Sequence, residues 1–465
     1  MLNSYNQNMK YQSPWIYQMN QERPIVTLPG DITTSVVIVG AGIAGISTAF
    51  FLLKNTDKKV VIVEKGKLAH GATGHNAGQV ASYFERPFYE LVEEFGLEKA
   101  ADAQRAIENA WELLDRMYTE AGLSLPLARF MGHAGFTTYD QVIRHLKDNI
   151  QRKKAGLRTE EMRISDKAPF LAGIPAEFKD FYEVVPDTEV SSRLQTHNAA
   201  YVACLSYQKG CLNSALFSQE IASYLLKEFS NRCALYEHTP IEKVVLRDGK
   251  AILDAGKYTI TTERVILCTN GFEGFTLINE GGLAINTKFH HLVHGVVGYM
   301  SAYLEPMSKP PTAVSYFETL NTDEGDPYAA DPYFYLTRRS FDFEGQQNSN
   351  LISVGGPEFS LEKRMGYDAD FDYPEEEKKR IQAFVRSTYD PDPNKKIDYQ
   401  FTWHGLMGYT PSGVRLIGEE PKNRTLLYNL GCNGVGILPS IFGAERISRI
   451  INGEKIKPSI FDPRG

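Results

Sequence analysis

Cysteine is scarce. The 465 residues hold five, at positions 204, 211, 233, 268 and 432, with no C-x-x-C pair among them. An odd, scattered set excludes a disulfide framework and a dithiol redox motif, and it points to a reducing compartment, read here as the cytoplasm. Positive charge is not in excess either: 50 Lys and Arg stand against 57 Asp and Glu, a net charge of -7. That argues against nucleic acid as the main partner, because phosphate binding draws on a basic face. No apolar run approaches the roughly 18 residues that suggest a membrane span. The first thirty residues lack a basic stretch followed by an apolar one, so no secretory signal is expected. No internal repeat is found. What is present, 42% hydrophobic and 23% charged residues, is ordinary globular composition, and the length asks for two packed domains rather than one core.

Residues 1–34, with Pro14, Pro24 and Pro29, read as an extended arm on the surface. Order is expected from Ser35. Val36 to Val39 form a β-branched run buried on both faces, followed by a glycine turn, an apolar helix through Phe51 and a second strand, Val60 to Val63. Ile107, Trp111, Leu114 and Met117 mark an amphipathic helix over Leu97 to Ala121. Helix is also expected within Gly210 to Phe229, and again from Pro439, where Gly453 stands as the cap. Ile285 to Tyr303 and Tyr333 to Gly355 read as long strands, and the polar, Pro- and Asp-rich stretch Pro306 to Pro332 reads as a loop.

Gly40-Ala41-Gly42-Ile43-Ala44-Gly45 lies between that first strand and its helix, the setting in which G-x-G-x-x-G has a mechanism. Gly40 permits a tight turn, Gly42 lets backbone approach a pyrophosphate, and Gly45 lets helix and strand pack closely. The helix N-terminus then presents free N–H groups to phosphates. About 20 residues on, Glu64 ends the second strand where an acid accepts hydrogen bonds from a ribose; Ile43, Ala44 and Lys65 flank these positions and complete the dinucleotide-binding candidates. A second small-residue loop, His70 to Gln79, follows directly.

With this loop the sequence resembles the D-amino-acid oxidase, glycine oxidase and sarcosine oxidase superfamily of FAD-dependent amine oxidoreductases, from about Ser35 to Gly453. The resemblance implies one FAD, with cofactor contacts from Thr73, Gly74, His75, Asn76, Gly78 and Gln79. Val265 to Gly271 looks like the family strand that ends against FAD, which brings in Thr269, Asn270 and Gly271, and Ile241 falls near the adenine side. Trp403 to Pro411, with Gly405 and Gly408, and Gly431 to Ile437, with Asn433, Gly434, Val435, Gly436 and Ile437, resemble the segments that close over the flavin. Backbone N–H groups ahead of the last helix would stabilise the anionic edge of reduced flavin. The implied fold is α/β: a Rossmann-like FAD-binding domain of the glutathione-reductase type (35–110, 205–284 and 400–465) with a second α+β substrate domain on a mostly antiparallel sheet (111–204 and 285–399).

The chain also departs from the pattern. Ala81 and Phe84 stand where sarcosine oxidases carry a carboxylate-binding arginine, and Gly405 stands near the place of their flavin-linking cysteine. His75 resembles the flavin-bonding histidine of dimethylglycine and sarcosine dehydrogenases, but Gly74 replaces the aromatic residue of that loop, so FAD is expected to be held noncovalently. Strand alternation puts Tyr333, Tyr335, Thr337 and Arg339 on one face and Phe334, Leu336 and Arg338 on the other. Tyr335, Arg338, Arg339 and His294 are the catalytic candidates, either arginine being able to pair with a substrate carboxylate or to lie solvated at the surface. His290, His291 and His294 do not make a metal site, since the two that share a face stand roughly 13 Å apart on a strand and no acid or cysteine joins them. The expected function is oxidation of the C–N bond of a small amine or amino acid, with hydride passing to flavin N5 and O2 or an electron carrier as acceptor. A flavin monooxygenase, another flavin oxidoreductase or a non-catalytic flavoprotein subunit are the alternatives. Oligomeric state is left open.

Overall fold

The computed structural model describes residues 12–285, 293–319, 332–361, 367–390, 392 and 396–464. His290 and His291 lie outside them.

The β-branched run becomes the strand Ile32–Val39, which pairs in parallel with Val60–Val63 on one side and Thr259–Leu267 on the other. Cys233–Tyr236 extends this parallel sheet beyond Val60–Val63, and Asn423–Leu430 joins it alongside Thr259–Leu267. Alternate residues of the central strand serve opposite cores: Val36 and Ile38 pack with the helices, Val37 and Val39 with the side carrying Val244, Leu253 and Leu426. Burial on both faces is why the run is apolar throughout instead of alternating. The helix Ile43–Asn55 packs against Ile437–Ile451 and Ser214–Glu228. Its Phe50 and Phe51 are fully buried, each contributing about 1.5–3 kcal/mol. The long helix Leu97–Ala121 has the bounds the periodicity predicts, with Gly96 and Gly122 at its two ends.

A second sheet of eleven strands is antiparallel but for two pairs, Ala128–Phe136 with Thr312–Phe317 and Glu161–Ser165 with Tyr182–Val185. Its middle is the run His294–Pro306, Gln346–Gly355, Tyr333–Phe343 and Thr312–Phe317, with Tyr399–Tyr409 on the other edge of His294–Pro306. The α/β organisation with a second, mostly antiparallel sheet agrees with the expectation. This sheet also takes Gln79–Ala81, Ala203–Cys211 and Tyr399–Tyr409 from stretches read largely as nucleotide-domain sequence.

Two expectations are corrected. Pro306 to Pro332 is not all loop: Thr312–Phe317 is a buried strand whose Val314 and Tyr316 enter the core with Phe334 and Leu336. Its apolar alternation outweighs the polar composition around it. Nor does all of the described N-terminal segment lie as an arm on the surface: residues 20–27 are irregular and mostly exposed as expected, but the stretch before them is not. Pro14–Tyr17 is a helical turn capped by Ser13, with Trp15 and Ile16 buried. Proline at the first helical position is compatible with a turn of helix, and three adjacent large apolar groups gain more from burial than from exposure.

Candidate functional site

Gly40 sits at φ +106°, and a Cβ there would stand 2.7 Å from the carbonyl oxygen of Cys268. The helix that follows has Gly42 as its N-cap with no side-chain cap of its own. Thr73 of the second loop accepts the Ile43 N–H at 2.9 Å, so the first turn and the second loop are joined. At Gly45 a Cβ would overlap the Gly40 carbonyl and stand 3.2 Å from Ile38 Cγ2, which is the close strand-to-helix packing expected of the third glycine. Glu64 accepts from the N–H groups of Ala41 and Gly66 at 2.9 and 2.8 Å, aiming its carboxylate at the glycine turn. Its carbonyl accepts the Thr239 N–H, which brings buried Ile241 nearby. Lys65 is exposed. A helix N-terminus with no cap from its own segment, a glycine at that N-cap and an acid at the strand end together fit the pyrophosphate and ribose of an FAD.

The second loop is tied internally. Asn76 donates to the carbonyls of Ala72 and Thr73 and to Ser214, and accepts the Gly78 N–H at 2.7 Å. His75 Nδ1 lies 2.9 Å from the Gly71 carbonyl, and burial pushes its imidazole down to about 4, so it is neutral near pH 7. The loop backbone packs on Gly405, where a Cβ would stand 2.5 Å from the His75 carbonyl oxygen. Gln79 links loop to sheet, donating to Thr337 Oγ1 and accepting from Lys209 Nζ, both at 2.9 Å.

Across from this loop, Asn270 (φ +59°) accepts the Cys432 N–H at 2.8 Å, and Gly408 accepts the Asn433 N–H at 3.0 Å. A Cβ on Gly408 would overlap the Asn270 carbonyl. Beside them Thr269 donates to Glu273, and a Cβ on Gly271 (φ +93°) would stand 2.6 Å from Val293. Asn433 accepts the Thr410 N–H at 2.8 Å, and Val435 and Gly436 lead into the helix Ile437–Ile451, which again has no side-chain cap. These three segments form one platform made largely of backbone. At Gly434 (φ +72°) a Cβ would overlap the Glu85 carboxylate and come within 2.8 Å of Tyr409 Oη. Glu85 accepts from Tyr333 at 2.6 Å, and Tyr409 donates to Glu358 at 3.2 Å. Tyr335 lies 5.8 Å from Tyr333, ring to ring, against Gly298 and Gly355. Burial, reinforced by Glu358 and Glu85, raises the Tyr335 phenol well above its usual range.

The structure therefore brings Tyr335 together with the platform, but not the arginines. Arg338 is fully buried on the opposite face, donating to Gln195, Tyr389 and the Pro310 carbonyl. Arg339 shares the Tyr335 face four residues along, where its guanidinium lies 5.1 Å from the Trp15 ring and donates to Gln18. His294 opens its strand opposite Tyr409. Among the described residues no group of three His, Cys, Asp or Glu could hold a metal ion, and no helix is long and apolar enough to cross a membrane. Sequence reasoning passed over Glu85, Lys209 and Trp15. A lysine inside the apolar strand Ala203–Cys211 was a legible signal; the other two gave none.

A family model described as FAD dependent oxidoreductase, DAO, matches residues 35–450. The probable oxidoreductase OrdL of Haemophilus influenzae is 22% identical over 240 residues, which cover 51% of this chain and 49% of that protein. The chain thus spans about half the length of this curated relative. Among solved structures, L-proline dehydrogenase from P. horikoshii superimposes with a TM-score of 0.65 at 16% identity, covering 94% of this chain and 97% of the other. Glycine oxidase from Geobacillus kaustophilus does so with a TM-score of 0.63 at 16% identity, covering 92% and 98%. The two structures share the fold; the family match extends across both sheets and every segment of the platform, and the chain belongs to the DAO family of FAD-dependent oxidoreductases.

Proposed function

We propose that this protein oxidises the C–N bond of a small amine or amino acid to an imine, for which FAD, when bound, would supply the hydride acceptor. The observation that carries this reading is the meeting of a backbone platform, Asn270, Gly408, Asn433 and Gly434, with a wall of Tyr333, Tyr335, Tyr409 and Glu85. A flat ring fits against peptide groups that offer no side chain to displace it, and the tyrosines confine a small molecule on its open face. The names of the structural neighbours, a proline dehydrogenase and a glycine oxidase, are of the same reaction class.

Each group has a task in this reading. The Gly40–Gly45 turn, Glu64 and Thr73 hold the ADP half; His75, Asn76, Gly78 and Gln79 border the flavin. The uncapped helix at Gly436 and Ile437 favours negative charge on the reduced ring. Tyr335 stays a neutral phenol and orients substrate. Arg338 and Arg339, held by Tyr389 and Gln195 and by Trp15 and Gln18, position the sheet instead of binding a carboxylate. Five unpaired cysteines support a reducing compartment such as the cytoplasm. Anaerobic addition of a panel of amines and amino acids tests the proposal: at least one is expected to bleach the flavin absorption. Reduction only by hydroxy acids, or by none of the panel, would sink it. Reoxidation rates with O2 and with an artificial carrier then identify the acceptor.

A further inference from the structure

A cavity of about 110 Å³ lies beside the platform and shares Glu85 and Tyr333 with it. At about 30 Å³ for each water, it has room for roughly four water-sized groups. Its walls include Tyr83, Tyr207 and Phe317, together with the carboxyls of Asp148 and Glu160. The cations around it are engaged. Arg86 pairs with Glu90 and Glu94 and donates to the Ser412 carbonyl, while Arg152 donates to Glu108 at 2.6 Å and to the Arg158 carbonyl at 2.7 Å. Arg144 is engaged as well. Lys209 stands behind the tyrosines, its Nζ 5.0 Å from the Tyr207 ring and held by Gln79.

The carboxyls keep acceptor capacity. Asp148 takes one N–H, from Tyr89 at 2.8 Å on Oδ1, and among the described residues no hydrogen bond reaches the Glu160 carboxylate. Burial raises both, Asp148 to about 8. An ammonium delivered between them would favour their charged forms and give their oxygens a donor, with aromatic faces alongside. A carboxylate would meet donors already occupied.

We propose that this chamber seats the far end of the substrate and takes a second cationic group, making the substrate an amine that carries another ammonium or guanidinium. The proposal rests on the amine-oxidising reading of the platform and extends it: the reacting C–N bond lies at Gly434 and Tyr335, and the tail passes Glu85 into the cavity.

The test uses FAD-loaded protein and two probes of equal length, 1,4-diaminobutane and 1-aminobutane, with binding followed by calorimetry and oxidation by anaerobic bleaching. The diamine is expected to bind at least about tenfold more tightly, the scale of a hydrogen bond to a charged group. Glu160→Gln is expected to lose most of that preference, and Asp148→Asn provides a second, independent removal; should either variant fail to fold, the wild-type comparison still decides. Equal affinity for the two probes, or a preference untouched in folded variants, overturns the chamber. Bleaching by both amines without preference leaves amine oxidation standing and the chamber fallen. Preferred diamine binding without bleaching overturns the chamber as a seat for substrate and leaves amine oxidation to the wider panel. No heat from either probe overturns the chamber and leaves amine oxidation to the wider panel.

Discussion

Trp15 lies against Gly78. A Cβ on that glycine, which sits at φ +70°, would stand 2.7 Å from the indole Cη2. The indole N–H donates to the Asn76 carbonyl at 2.5 Å, Ser13 donates to the Gly74 carbonyl, and the far side of the ring meets Trp403 edge-on at 6.3 Å. The N-terminal segment thus grips the second loop at three points.

Trp15→Ala removes a fully buried ring and is expected to cost about 3–5 kcal/mol. The loss should fall on cofactor retention as well as on the fold, because the freed loop carries His75 to Gln79. Denaturation midpoints with and without added FAD, and the flavin-to-protein ratio after gel filtration, measure both. A Trp15→Ala protein with full flavin and an unchanged midpoint would contradict the grip.

His75 is expected to contact the flavin without bonding to it. Acid precipitation should leave a colourless pellet and a yellow supernatant, and His75→Ala should weaken FAD binding by about 0.5–1.5 kcal/mol, one hydrogen bond's worth. With the imidazole held down at about 4, that affinity should not follow histidine titration between pH 6 and 8. Colour in the wild-type pellet that is lost in His75→Ala would show a covalent link.

Lys209 is 1% exposed, and burial lowers its ammonium to about 7 from an ordinary 10.5. Between those two values the unfolded chain binds the proton and the folded chain has released it, so this group's contribution to stability rises with pH from about 7 to 10.5 and is flat below 7. The advantage of Lys209→Met over wild type, or its deficit, should therefore shift in favour of wild type as pH rises through that window. Urea melts of both proteins at pH 6, 8 and 10 provide the check. A stability difference independent of pH would mean that the lysine is charged in the folded state.

Much of the local structure around the proposed cofactor cradle was legible from consecutive residues. The Gly40–Gly45 turn, the parallel strands around it and the helix Leu97–Ala121 follow from glycine sterics, β-branched runs and apolar periodicity. The second loop and the Gly431–Ile437 segment entered through resemblance alone; in the structure the first packs on Gly405 and the second bonds to Asn270. Trp15 was misread because prolines and polar neighbours describe a segment's own tendencies, whereas its burial depends on a pocket made by Gly78 and Trp403. Thr312–Phe317 was hidden in the same way: two strands far off in sequence supply its partners.

The sequence by itself determined the local devices, namely the tight turn, the uncapped helix N-terminus, the acid at the strand end and the alternation that separates Arg338 from Arg339. These depend on interactions within a few residues, where backbone geometry leaves few choices. Tertiary structure alone decided which face of that alternation meets the platform, which turned Arg338 away, and where along the strand the platform lies, which left Arg339 at Trp15 and Gln18. It also gathered Glu85, Asp148, Glu160, Tyr207 and Tyr333 from five separate segments around one cavity. Strand register and helix docking set those neighbours, and both are settled by burying surface collectively across the whole chain.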